Sequence, residues 1–277
     1  MSKPDITAVV LTLNEEANIA RCLNSLGWTR SAIVLDSGSQ DRTREIAREG
    51  GADVLVHRQD GPFDIAEQRN WILDSGGIDT AWILFLDADE VVPGDLQDHL
   101  TAISNSSSTL DAYELTPKYL FRGQWMRRTM NFPNYHPRFL RSTGPRFSGG
   151  VWEHFTNVGT VGRVELPYLH FGNSKGFAEW VERHNRYSSW EAENVSNYLE
   201  TRNVSSFRTD RRLALRAVAA RFWRLRPLLR FMVMYVGRLG FLDGRHAFAF
   251  CIRYAIYEYM ITEKVRDLRI SRSGGVL

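Results

Sequence analysis

The stretch Ile83-Leu84-Phe85-Leu86-Asp87-Ala88-Asp89-Glu90 runs four apolar residues directly into three carboxylates. A short, continuous apolar run is what a strand covered on both faces requires. The carboxylates then mark where that strand leaves the core. Working toward the N-terminus, the same pattern recurs. Ile6–Leu11 (ITAVVL) reads as a buried strand and Glu15–Leu26 as a helix. Ala32–Leu35 reads as a second strand that ends in the turn Asp36-Ser37-Gly38-Ser39, and Asp41–Arg48 as a helix. Asp53–Val56 is a third strand, Ile65–Leu73 a helix, and Trp82–Leu86 the strand that carries the carboxylates. Alternating strands and helices with short connections predict an α/β fold with a mostly parallel sheet. In such sheets ligands sit beyond the carboxyl ends of the strands. Leu11–Glu15, Asp36–Ser39 and Asp87–Glu90 should therefore share one crevice.

Downstream the chain is less regular. Tyr113–Leu120 and Arg138–Leu140 read as strands, and Ser104–Ser108 as a polar loop. Phe177–Leu199 carries an apolar stripe at helical spacing. Pro227 should break the following segment into two helices, and Gly244 should precede a last helix over Ala247–Lys264.

The 277 residues allow one large domain or a domain with an appendage. The net charge of +3 hides an asymmetry: residues 1–100 hold 18 acids against 8 bases, and residues 101–277 hold 14 against 27. Two distant cysteines, Cys22 and Cys251, suit a reducing compartment and exclude a disulfide framework. The N-terminus does not read as a signal peptide, and no uncharged apolar run approaches the roughly 18 residues of a membrane span. The expected location is cytoplasmic.

Asp87 and Asp89 can be a simple strand terminator, since Asp is common in turns. Two carboxylates one residue apart in a crevice also repel, and a divalent cation removes that conflict. Hard oxygen ligands suit Mn²⁺ or Mg²⁺, which are held by one or two carboxylates plus substrate phosphates. The implied substrate is a phosphate ester. No GxxxxGK(S/T) or strand-following GxGxxG is present, which excludes a P-loop and argues against a dinucleotide site. Thr12 and Asn14 can instead read a base edge by hydrogen bonding, Asp36 can accept from a base N–H, and Arg69 can bind phosphate.

TLNEE (12–16), VLDSGSQDRT (34–43), AEQRN (66–70) and WILFLDADE (82–90), in that order, resemble family 2 glycosyltransferases of GT-A fold. The resemblance implies a nucleotide-sugar donor, a divalent metal and inversion at the anomeric carbon. It implies a donor site of Leu11, Thr12, Asn14, Glu15, Asp36, Gly38, Arg69, Asp87, Ala88 and Asp89, with Arg69 near the pyrophosphate. Asp89 is then the direct metal ligand, Asp87 stands nearer the ribose, and His170 is a further candidate ligand for the metal. His136 and His154 are weaker candidates of the same kind. The segment SGGVWEH (148–154) resembles part of the bacterial lipopolysaccharide-core sugar transferases. It implies Glu153 as the base that deprotonates the acceptor hydroxyl, with Trp152, His154 and Trp125 at the acceptor.

Residues 207–242 contain nine arginines and one acid among large apolar residues. Such a segment can be a solvated helix face, or can lie on an anionic membrane surface. The expected organisation is a GT-A catalytic domain over residues 1–200, with a nucleotide-binding half (1–103) and an acceptor half (104–200). A basic, amphipathic, membrane-associating helical extension covers 201–277. The expected function is transfer of a sugar, glucose from UDP-glucose being the reading adopted, to a lipid-linked saccharide at the inner face of the cell membrane. No nucleic-acid partner is expected. Alternatives are an undecaprenyl-linked or protein acceptor, a nucleotidyltransferase, and a non-catalytic membrane- or nucleic-acid-binding protein with a degenerate transferase domain.

Overall fold

Residues of the first strand, β1 (Ile6–Thr12), point alternately into two cores: Ile6, Ala8 and Val10 into one, Val9 and Leu11 into the other. A strand buried on both faces needs cover on both, and that requirement sets the architecture. The structure, a computed structural model, describes residues 2–61, 63–75, 77–107, 109–149, 153–201 and 223–272. It forms two units, residues 1–120 with 132–174, and residues 121–131 with 175–277.

In the first unit, β2 (Ser31–Asp36), β3 (Asp53–Val56) and β4 (Trp82–Asp87) join β1 in the parallel order β3-β2-β1-β4. The sheet continues through β8 (His136–Arg141), β6 (Ala112–Phe121), β11 (Val161–His170) and the short β5 (Glu90–Val91). The strand β8 runs antiparallel to both neighbours, and β11 runs parallel to β6. The fold is therefore the expected α/β class with a mostly parallel sheet, followed by C-terminal helices. The register sets Thr12 opposite Asp36 and Leu11 opposite Asp87, so the three carboxyl ends do share one edge.

The helices α1 (Ile19–Asn24), α2 (Thr43–Glu49), α3 (Ile65–Asp74) and α4 (Gly94–Asn105) cover the sheet. Helix α1 starts later than the sequence predicts. The N–H groups of Asn14, Glu15 and Glu16 donate to Ser39, Thr43 and Asp41 side chains, so they bind the next loop instead of opening a helix. Helix α4 is an element that the sequence reading missed. It buries Leu96 and Leu100, one turn apart, and packs the partly buried Ile103 against the same core.

In the second unit, α5 (Gly176–Thr201) packs its Ala192 and Val195 against Ile261 and Val265 of the long helix Ala247–Arg272. Pro227 sits in the first turn of the helix Arg226–Phe231, where its missing N–H costs nothing. The Asp243 carboxylate accepts from the N–H groups of Arg128 and Thr129 and from the Thr129 hydroxyl, fixing the segment that contains β7 (Gln124–Trp125). Among the described residues no helix is long and apolar enough to cross a membrane.

Candidate active site

The turn after β2 is built around one carboxylate. Asp36 has no exposed surface and accepts from the N–H groups of Gly38 (3.0 Å) and Ser39 (2.9 Å) and from the hydroxyls of Thr12 (3.1 Å) and Ser39. Its oxygens thus shape the turn that the sequence reading gave to the nucleotide base. Gly38 has φ +104°, a region costly for any residue with a Cβ, and Arg58 lies where that Cβ would stand. Gly38→Ala is expected to cost about 1–2 kcal/mol, read as a lower urea midpoint; an unchanged midpoint would mean that the turn relaxes freely. Asn14, also at positive φ, accepts from Gln40 N through its side chain. Leu11 is 8% exposed, and Ala88, buried, donates its N–H to Leu11 O.

The second group of charges is buried between β4, β8, α3 and the hairpin of β9 (Arg146–Ser148) and β10 (His154–Thr156). Asn70 of α3 bonds both the N–H and the C=O of Phe147. That pair docks β9 on the helix, and the hairpin returns Glu153 to Arg69. Glu153 Oε2 accepts from Arg69 Nη1 at 2.6 Å and stands 3.8 Å from Arg138 Nη1. Its Oε1 is buried and has no partner among the described residues. Burial pushes the Glu153 carboxyl above its ordinary range, while the Arg69 and Arg138 charges oppose that shift.

Arg69, expected near the pyrophosphate, has no exposed surface. It also stands 3.7 Å from Asp87, and its Nη1 donates to Pro137 O. Arg138 Nη2 bridges Asp87 Oδ2 (3.1 Å) and Glu90 Oε1 (3.0 Å). Burial drives the Glu90 carboxyl up to about 7 against the pull of Arg138. Sequence reasoning missed Arg138 and Glu90 as site residues. The signal was present in His136–Arg141, where one cation interrupts Pro137, Phe139 and Leu140 in a strand that is otherwise buried.

Asp89 Oδ2 lies 3.5 Å from His170 Nε2, and His170 is the last residue of β11. Burial disfavours the His170 imidazolium, but the Asp89 charge and hydrogen bond outweigh it and push the ring up to about 9. His136 is driven down to about 4, first by burial and then by Arg138. His154 is exposed and shares a hydrogen bond with the Ser148 hydroxyl. Trp125 belongs to the second unit, with Arg127 5.3 Å from its ring centroid. Trp152 lies outside the described residues.

The chain matches the profile of glycosyl transferase family 2 over residues 7–166. It belongs to that family. The matched span contains the three strand-end turns, Arg69, Arg138 and Glu153. The transferase is 27% identical over 279 residues to an uncharacterised glycosyltransferase of Rickettsia typhi, covering 96% of this chain and 88% of that one. A segment of 89 residues is 35% identical to the glycosyltransferase SunS of Bacillus subtilis, covering 32% of this chain and 21% of that one. Among solved structures, Staphylococcus aureus TarS (residues 1–349) aligns with 14% identity and a TM-score of 0.45, over 93% of this chain and 91% of that one. Mycobacterium tuberculosis glucosyl-3-phosphoglycerate synthase, in complex with Mn²⁺, uridine diphosphate and glucosyl-3-phosphoglycerate, aligns with 19% identity and a TM-score of 0.44. That alignment covers 61% of this chain and 72% of that one.

Proposed function

We propose that this glycosyltransferase inverts configuration at the anomeric carbon of a nucleotide sugar, with Glu153 as the base. The observation that carries the reading is the state of that carboxylate. Arg69 holds one oxygen, and the other is buried without a partner among the described residues. A fixed carboxylate with a lone pair to spare, and a proton affinity raised by burial, suits removal of a proton from an acceptor hydroxyl. As the hydroxyl oxygen bonds to the anomeric carbon, its proton passes to Glu153 Oε1, and the bond from that carbon to the diphosphate breaks. Arg69 and Arg138 keep the base in place. The Asp36 turn and the loop after β1 would hold the nucleotide.

The residues at the end of β4 suit a divalent cation. Asp87 is already compensated by Arg138 and Arg69, whereas Asp89 and His170 set a carboxylate and an imidazole side by side. No cluster of three or more such side chains occurs among the described residues. Mn²⁺ or Mg²⁺ held by one or two protein groups needs none, because the diphosphate oxygens complete its shell. When bound, the cation would neutralise charge on the leaving diphosphate. Asp89→Ala is expected to weaken Mn²⁺-dependent binding of uridine diphosphate at least about tenfold. Calorimetry with and without the metal measures it, and an unchanged affinity would reduce Asp87 and Asp89 to a turn.

The donor in this reading is UDP-glucose. The acceptor is a lipid-linked saccharide such as the lipopolysaccharide core, met at the inner face of the membrane by the region 201–277. The likeness of residues 148–154 to the lipopolysaccharide-core transferases supports that choice. A panel of nucleotide sugars with Mn²⁺, scored for nucleoside diphosphate release and for the anomeric configuration of the product by NMR, tests the reading. A product with retained configuration would remove Glu153 from the role of base in a direct displacement.

A further inference from the structure

Among its described residues, the second unit leaves one broad apolar face uncovered. Leu225, Leu228, Met232, Val236 and Leu239 recur at helical spacing along residues 223–239, and each is between 44% and 61% exposed. Phe248, Ile252, Ile256 and Tyr259 recur in the same way along the last helix and are 37% to 55% exposed. The two stripes are neighbours. Phe248 packs its ring against those of Phe231 and Tyr235, with centroids 5.6 Å apart in both pairs. Single exposed apolar side chains are ordinary on a protein surface, but two adjacent stripes are not.

Within residues 224–259 the exposed charges all have one sign, while Glu191 of α5 stands 3.6 Å from Arg226 beside them. Between Arg224 and Tyr259 the only acids are Asp243 and Glu258. Both are buried and occupied, Asp243 by Arg128 and Thr129, Glu258 by Arg226 and Arg230. Arg224 and Arg245 are exposed, and Arg230 is 38% exposed. Residues 224–259 therefore offer water apolar side chains and guanidinium groups, with no exposed carboxylate of their own. An isologous contact with a second copy would gather the same arginines from both chains. An anionic lipid surface satisfies both features at once, with acyl chains for the stripes and phosphate headgroups for the arginines.

We infer that the face formed by residues 224–259 is a monotopic lipid-docking surface whose leucine and aromatic side chains enter the headgroup–acyl boundary of an anionic bilayer. This goes beyond attraction by the arginine-rich sequence, because insertion is not screened by salt as surface charge is. It rests on the reading that the acceptor is lipid-linked, and the two fail separately. Vesicle binding is scored with no donor present, whereas the acceptor is scored by sugar transfer in detergent.

The test is flotation of the full chain with vesicles of phosphatidylcholine containing one third phosphatidylglycerol. The wild type should float with these vesicles and keep a measurable part of that binding at about 0.5 M salt, where the screening length is only a few ångströms. Leu225→Asp, Leu228→Asp and Val236→Asp combined should lower the partition coefficient at least about tenfold, because each half-exposed side chain contributes to insertion. The variant should keep its melting temperature and its basal hydrolysis of the nucleotide sugar. Arg224→Glu with Arg245→Glu should weaken binding chiefly at low salt and leave the apolar stripes intact. Equal flotation of the triple variant and the wild type would overturn the inference. So would a wild-type dimer that the triple substitution dissociates, which would assign the face to a second copy.

Discussion

Glu153→Gln is expected to transfer sugar at least about 10²-fold more slowly than the parent while binding the nucleotide sugar with near-normal affinity. A base acts on the acceptor, so its loss should appear in turnover, and general-base catalysis contributes about 10²–10⁴-fold. Glutamine keeps the length of the side chain and one oxygen for Arg69 Nη1, which now lies 2.6 Å from Glu153. What it loses is the ability to accept the proton. The pH profile gives a second reading of the same group. The base must be ionised, and burial raises the Glu153 carboxyl above its ordinary range. Transfer by the parent should therefore fall as pH drops through a value above that of a free glutamate, and the residual rate of Glu153→Gln should lack that limb. Single-turnover transfer and equilibrium donor binding measure the two halves. Near-normal transfer by Glu153→Gln would place the base elsewhere, with His154 or an aspartate of the crevice next to be tried. A parallel loss of donor affinity would put Glu153 in the nucleotide site.

Much of this was readable without coordinates, and the reason is local. Ile6–Leu11, Ala32–Leu35 and Trp82–Leu86 are short apolar runs ended by polar turns, so both their strand character and the position of their carboxyl ends are written in the sequence. Asp53–Val56 and the helix from Ile65 were readable because they continue the alternation of strand and helix between those runs. Other features depend on partners far along the chain. That residues 14–16 open no helix follows from acceptors on Ser39, Asp41 and Thr43. Helix α4 carries its signal in three residues only, Leu96, Leu100 and Ile103 at helical spacing, and the sequence reading passed over them. The site divides along the same line. Glu153 and the strand-end aspartates carry local motifs, but the partner of Glu153 is a residue 84 positions earlier, on α3. Arg138 lies in an antiparallel strand slotted beside β4, and no short-range pattern brings it to Asp87 and Glu90.

Arg138→Leu is expected to destabilise the first unit by about 3–5 kcal/mol. The figure is that for removing one partner of a buried ion pair and leaving the other charged and unmatched. Arg138 is 7% exposed, bridges Asp87 and Glu90, and lies near Glu153. Burial works against its charge, yet Glu90 and Asp87 hold its pKa well above the ordinary arginine value. Leucine fills much of the same volume, so the loss would be one of charge compensation more than of packing. Glu90, with no exposed surface, would keep the N–H of Asp87 but lose its guanidinium. The pH dependence follows from the direction of the Glu90 shift. Its folded pKa of about 7 lies above the unfolded carboxyl value of 4.5, so between the two the folded state binds more protons. Stability from this group is therefore full below the unfolded value and is lost as pH rises through the folded one. Removing Arg138 moves the folded value further up, because the guanidinium is what lowers it. The gap between parent and variant should then be widest above pH 7 and should narrow toward pH 5. Urea unfolding at about pH 5 and pH 8 measures that gap. A gap that is equal at both pH values would exclude Glu90 as the group left unmatched. A gap below about 1 kcal/mol would mean that Arg69 alone compensates the buried carboxylates.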